Sequence, residues 1–146
     1  MVLNEKGILK QFSLVVYNQD ILAVIGDMEE QVNKLYKPKD TKYNWIAAPD
    51  EGHPMAAYDV IEKKTGIICY MVWCKDVEQF RGSYLCHECG HAALELFHYI
   101  GARANYEDQE PFCYLLGTIF RLVNGTYYEY KDFLEKKKSK SKTKKK

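Results

Sequence analysis

The chain has 146 residues, a formal net charge of +1 and a hydrophobic content of 47%. A chain of this length buries a sizeable core as one domain, so a small scaffold that depends on disulfides is excluded. Its longest unbroken apolar run, residues 67–74, is far shorter than the roughly 20 residues that span a bilayer, which excludes a transmembrane helix.

The amino-terminal segment and the cysteines predict the compartment. The first ten residues, MVLNEKGILK, contain no apolar stretch of signal-peptide length and no small-residue cleavage site. All five cysteines lie between Cys69 and Cys113, and their odd number does not fit a secreted disulfide framework. We therefore expect a cytoplasmic protein with reduced thiols and no membrane contact.

The segment that follows has strand, helix and loop patterns in turn. β-Branched and aromatic residues predict a first strand over 7–18, which closes on the turn-prone Asn18. Early acids, a late lysine and Pro38 just beyond predict a short helix over 27–36. Three prolines and several polar residues indicate a loop over 37–54.

Two strand-like segments and a long helical segment come next. Residues 56–62 and 67–74 are separated by the turn sequence KKTG, which predicts a β-hairpin. Residues 83–100 are compatible with a helix throughout, and Gly101 is placed as its carboxy-terminal stop.

Helical patterns continue to a lysine-rich end. Pro111 favours a helix start and predicts a helix over 110–125, which a short helix over 128–134 follows. Residues 136–146 hold eight lysines and no acid, whereas 1–135 hold thirteen basic and twenty acidic side chains. We expect one α+β domain over 1–135 and a disordered tail over 136–146, whose charge suits nucleic acid or another polyanion.

The sequence LCHECGH in the long helical segment contains two overlapping metal-site patterns. Cys86 and Cys89 have the C-x-x-C spacing of a structural zinc site, and His87, Glu88 and His91 have the H-E-x-x-H spacing of a catalytic zinc helix. On a helix the two histidines lie ~40° apart and one turn along, so both imidazoles reach one ion. The glutamate lies beside them, where it can address a metal-bound water.

The two cysteines fall on another side of the same helix. Cys86 and Cys89 lie at angles near Ala93 and Leu96, which places both on the apolar stripe. A buried cysteine behaves as a small hydrophobe, and no second C-x-x-C or C-x-x-H follows to complete a structural site. We interpret the histidines as the metal site and the cysteines as core.

A catalytic zinc helix requires a third protein ligand. The metzincin continuation H-E-x-x-H-x-x-G-x-x-H is absent, and no histidine follows His98, which lies about 10 Å along the axis from His91. Carboxylates remain, and the candidates are Glu110, Glu107 and Asp108.

These motifs resemble a known family. H-E-x-x-H followed after a helical hairpin by a glutamate resembles the gluzincin arrangement of zinc metallopeptidases. The stretch HECGHAALELFHYIG…YEDQEPFCYLLGTIF also resembles small zinc metallopeptidases encoded by phages and prophages, over about residues 84–120. The resemblance implies a minimal zincin-like fold in which a small mixed sheet and its hairpin pack on the H-E-x-x-H helix. It also implies Zn²⁺ bound by His87, His91 and Glu110, with Glu88 as general base.

This ligand set predicts hydrolytic chemistry. Zinc held by two imidazoles and one carboxylate lowers the pKa of a bound water toward ~7 and polarises a carbonyl oxygen. Glu88 would accept the proton of that water and deliver it to the leaving amine, which predicts hydrolysis of peptide bonds. An alternative of another class is a non-catalytic zinc-binding accessory protein whose tail, residues 136–146, docks to nucleic acid or another polyanion.

Other residues are candidates for supporting roles. Tyr106 and Tyr114 flank the proposed third ligand and could donate a hydrogen bond to the transition state, as could His53. Glu95, one turn beyond the second histidine, could orient a ligating imidazole. In gluzincin-like folds the strand before the active-site helix binds an extended peptide at its edge, and the resemblance implies this role for residues 67–74.

Overall fold

The computed structural model describes residues 1–143, which form a mixed six-stranded sheet with three α-helices and one turn of 3-10 helix, Val77–Gln79. The strands are β1 (Val2–Leu3), β2 (Gly7–Leu14), β3 (Gln19–Gly26), β4 (Tyr36–Pro38), β5 (Met55–Glu62) and β6 (Ile68–Cys74). The helices are α1 (Glu29–Leu35), α2 (Gly82–Tyr99) and α3 (Glu110–Thr143). The predicted α+β class is confirmed.

The strand order is β1-β2-β3-β6-β5-β4, with β3 and β6 parallel and every other neighbouring pair antiparallel. The predicted hairpin is confirmed as β5 and β6, joined by a turn in which Gly66 has a positive φ. In the register of this hairpin Ala57 lies opposite Val72 and Tyr58 opposite Met71. Strand β6 lies between β3 and β5 in this order, so it is in the middle of the sheet.

The sheet is buried on both faces, which explains why β6 reads as a continuous apolar run rather than an alternating one. Tyr70, Val72 and Cys74 belong to the core between the sheet and helices α2 and α3. Met71 and Trp73 belong to a second core on the opposite face, under α1 and the loop that follows it.

Helix α2 confirms the helix predicted over 83–100. Its apolar stripe, which includes Leu85, Cys89 and Leu96, is buried against the sheet. The helix ends at a glycine because Gly101, with φ 74°, donates to the carbonyl of His98 while the next backbone N–H bonds to Phe97. This is the pattern of a Schellman motif, in which a left-handed residue satisfies the last carbonyls.

The predicted first strand, 7–18, differs from the structure. Strand β2 ends at Leu14, the chain turns through Asn18, which has φ 51°, and β3 follows at once. Strands β3 and β4 were not predicted, and β4 lies where the predicted helix over 27–36 meets the predicted loop over 37–54. The helix predicted over 27–36 is confirmed as α1.

Helix α3 corrects the two separate helices predicted over 110–125 and 128–134. It is continuous through Gly125, because the apolar side chains on both sides of that glycine face the same core, among them Val123 and Tyr130. The hydroxyl of Thr126 donates to the carbonyl of Leu122 at 2.8 Å, so this polar side chain is satisfied within the helix.

The same helix includes most of the segment predicted as a disordered tail. Residues 136–143 are helical, in keeping with the good helix propensity of lysine, and Lys137 forms an ion pair with Glu5. Residues 144–146 lie outside the described residues. The contact of this basic segment with nucleic acid or another polyanion stays a prediction from its charge.

No helix in the described residues combines the length and the apolar character needed to cross a membrane.

Candidate metal and catalytic site on helix α2

Helix α2 directs two histidine side chains to one point. His87 and His91 are one turn apart, and their Nε2 atoms approach to 3.1 Å with the ring planes at 82°. Two ligands of a tetrahedral zinc ion are separated by about 3.3 Å when each zinc–nitrogen bond is about 2.05 Å. The separation of the two Nε2 atoms therefore fits a shared ion.

Glu88 lies beside this pair but in a different environment. Its side chain is 15% exposed, whereas that of His87 is 68% exposed, and Glu88 Oε1 is 4.0 Å from His87 Nε2. The one-residue offset along α2 turns the carboxylate from the exposed face toward the sheet. A carboxylate in this position is adjacent to the point where the two imidazoles converge.

A cleft of about 510 Å³ lies between α2 and β5. Glu88, His91 and Glu95 line it from the helix, and His53 and Ala57 line it from the loop and strand opposite. The structure thus brings two further candidates from the sequence, His53 and Glu95, into the cleft that contains the proposed general base.

The proposed third ligand is not brought to the histidines. Glu110 begins α3 and is exposed, and within residues 1–143 no group of three or more His, Cys, Asp or Glu side chains is placed to hold a metal ion. The alternatives Glu107 and Asp108 are exposed in the connection between α2 and α3. The structure therefore brings together the two histidine side chains and none of the three candidate carboxylates.

The two tyrosines suggested from the sequence lie elsewhere on the surface. Tyr106 is 90% exposed and Tyr114 is 72% exposed, and neither is among the residues that line the cleft. The strand-borne Tyr58 does line it. Its hydroxyl donates to the carbonyl of Ala47 at 2.9 Å. Burial, followed by the nearby negative charge of Glu88, raises the pKa of Tyr58 to about 12, so this hydroxyl keeps its proton at neutral pH.

Tyr58 was not singled out from the sequence, because a hairpin pattern identifies a strand without showing which of its residues line a cleft formed with another part of the chain. The peptide-binding edge that the resemblance implied for residues 67–74 does not agree with the structure. Strand β6 pairs with β3 on one side and β5 on the other, so it has no open edge. Strand β4 pairs with β5 at residues 60–62, and the N–H of Lys39 bonds to the carbonyl of Asp59. Among the described residues no strand covers the outer edge of 55–58.

The two cysteines of the C-x-x-C pattern lie in different environments, one in the core and one on the surface. Cys89 is buried as expected, whereas Cys86 is exposed, which corrects its assignment to the apolar stripe. The two residues are about 60° apart around the helix, so Cys86 lies at the solvent-exposed border of the stripe that buries Cys89. Burial raises the pKa of the Cys89 thiol to about 12, which disfavours the thiolate that a metal would require.

Thiol labelling tests this arrangement. Burial raises the pKa of Cys69, Cys74 and Cys89 to about 12, so at pH 8 these thiols hold their protons and are also inaccessible. We expect iodoacetamide to modify only the exposed Cys86 and Cys113 in the native protein, as read by peptide mass spectrometry. All five cysteines should react in denaturant. Rapid native labelling of Cys89 would contradict the placement of α2.

Comparison of the chain with protein-family models, with curated proteins and with solved structures found no match in any of the three.

Proposed function

We propose that this chain is a zinc-dependent metallopeptidase with a zincin-like site. The observation that carries the proposal is the convergence of the His87 and His91 Nε2 atoms, 3.1 Å apart, beside the partly buried carboxylate of Glu88. Helix spacing places the two histidines on one face, but it does not by itself bring their Nε2 atoms together or turn the neighbouring acid into a cleft. Their combination is what H-E-x-x-H chemistry requires.

The residues present fit zinc as two nitrogen donors with room for further ligands. His87 and His91 would hold the ion, and by resemblance to gluzincins Glu110 would be the third ligand. Residues 102–109 would have to rearrange to bring Glu110 to the histidines. When bound, zinc supplies a water of lowered pKa and polarises the carbonyl of the substrate.

The chain's own residues would carry the proton transfer and hold the substrate. Glu88 would accept the proton of the attacking water and deliver it to the leaving amine. The open edge of β5, residues 55–58, lies along the same cleft and would pair with the backbone of an extended peptide. His53, which lines the cleft opposite the helix, would donate a hydrogen bond to the substrate.

Zinc binding by the purified protein tests the ligands. We expect one equivalent of zinc in the parent and a loss of affinity of more than about 100-fold in His87→Ala and in His91→Ala. His98→Ala is the matched control, because His98 is exposed on the same helix and should leave zinc affinity unchanged. Elemental analysis and competition with a chelating dye measure both quantities.

The same assay decides among the carboxylates. Alanine variants of Glu110, Glu107 and Asp108 should differ, with a large loss of zinc affinity only for Glu110. If the parent binds no zinc at saturating concentration, the metal proposal fails. Zinc binding without cleavage of any peptide in a diverse pool would favour the accessory-protein alternative.

A further inference from the structure

A second cleft of about 650 Å³ lies on the other face of β5. Its walls are mainly apolar and aromatic, with Tyr43, Trp45 and Tyr58 among the residues that line it. Tyr43 is 65% exposed and Trp45 is 51% exposed, so large aromatic surfaces face solvent here. We call this the aromatic cleft, and the cleft beside Glu88 the catalytic cleft.

The loop that forms the aromatic cleft is fixed to α1 by hydrogen bonds. Asn33 bonds to both the backbone N–H and the carbonyl of Ile46, each at 2.8 Å. The indole N–H of Trp45 donates to Glu29 at 2.6 Å. The aromatic wall is therefore held in place before any ligand binds, which lowers the entropy cost of binding.

The two clefts meet at the open edge of β5, because residues 57–59 line both of them. Ala57 lies on the α2 side, opposite Val72, whereas Tyr58 lies on the other side, opposite Met71. Successive side chains of an extended peptide point to opposite faces of a sheet. A peptide paired with this edge would therefore direct one side chain into the aromatic cleft and the next into the catalytic cleft.

The catalytic cleft has an acidic wall beyond the proposed general base. Glu95 lines it from α2 and is exposed, and Asp59 lines it from β5. Asp59 is already paired with Lys39 at 2.9 Å, which leaves Glu95 as the acid available to a ligand. A basic side chain of a peptide would complement this charge.

We propose that the aromatic cleft is a specificity site for an extended peptide in which a bulky apolar residue is followed or preceded by a basic one. The apolar side chain enters between Trp45 and Tyr58, and the basic neighbour lies beside Glu95. The inference rests on the proposed function, since the same bound peptide presents its backbone to Glu88.

Binding is tested without cleavage in zinc-loaded protein that carries Glu88→Gln. The probes are three peptides of about ten residues, a length that spans the edge, which are identical except for a central Phe-Lys, Ala-Lys or Phe-Glu pair. The chain has two tryptophans, and because Trp73 is buried, the exposed Trp45 should report binding by a change in fluorescence. We expect Phe-Lys to bind at least about tenfold more tightly than either other peptide.

Variants in the same background locate the effect. Trp45→Ala should weaken Phe-Lys binding, measured by anisotropy of labelled peptide, about tenfold while leaving Ala-Lys binding unchanged. Glu95→Gln should reduce the preference for Lys over Glu. Tyr128→Ala, which removes an exposed aromatic ring from α3, is the matched control and should change neither. Equal binding of all three peptides, or equal loss in Trp45→Ala and Tyr128→Ala, would overturn the proposal.

Failure of this inference is distinguishable from failure of the proposed function. If the parent cleaves peptides with no preference for the apolar–basic pair, the aromatic cleft is not a specificity site and the peptidase proposal stands. If the Phe-Lys peptide binds selectively and the parent cleaves nothing, the peptide site stands and the peptidase proposal fails.

Discussion

Glu88→Gln is expected to lower the kcat for peptide cleavage by about 10³-fold while leaving zinc affinity unchanged. Glutamine keeps the size of the side chain and its place in the cleft but accepts no proton at neutral pH. The loss corresponds to about 4 kcal/mol of transition-state stabilisation, which is within what a positioned general base contributes. Cleavage of a fluorogenic peptide from the pool, together with elemental analysis, measures both effects.

Peptide cleavage and zinc affinity, measured together, show whether Glu88 is the general base or a zinc ligand. Glu135→Gln, an exposed glutamate on α3, is the matched control for the chemical change and should retain full cleavage. If Glu88→Gln loses its zinc, Glu88 is a ligand instead of the base. Full cleavage by the variant would assign proton transfer to another group in the cleft.

Gly26→Ala is expected to destabilise the fold by about 3 kcal/mol or more. Gly26 has φ 98°, a conformation that L-residues rarely adopt, and an added Cβ would lie 2.3 Å from the carbonyl oxygen of Lys6 and 2.7 Å from the Cα of Gly7. These are backbone atoms, so the strands β2 and β3 would have to move apart. The movement would also disturb the hydrogen bond from the Trp73 indole to the Gly26 carbonyl, 3.0 Å long.

Urea denaturation measures this change, and a second glycine provides the control. Gly117 lies within α3, where an added Cβ meets nothing within 4 Å. Gly117→Ala should therefore raise the free energy of unfolding by roughly 0.5–1 kcal/mol through helix propensity. Opposite signs for the two substitutions are expected, and a neutral Gly26→Ala would contradict the close packing of β2 and β3.

Elements with strong local patterns were predictable. The KKTG turn between two apolar segments identified the β5–β6 hairpin, and helical periodicity with Gly101 beyond it identified α2. Strand β3 was missed because the predicted strand ended at the turn-prone Asn18 and no element was assigned to residues 19–26, although β3 follows β2 directly through this turn. The continuity of α3 was missed because the predicted helix ended at Gly125, although the apolar side chains on both sides of this glycine face one core.

For the site, the sequence by itself determined the relation among His87, Glu88 and His91, because spacing along one helix fixes their local geometry. Only the tertiary structure decided what surrounds them. The parallel pairing of β3 with β6 made β6 central and left the outer edge of β5 open between two clefts. Such pairing joins segments that are far apart in sequence, and no local periodicity encodes it. The open edge of β5 and the aromatic wall beside it therefore depend on the fold.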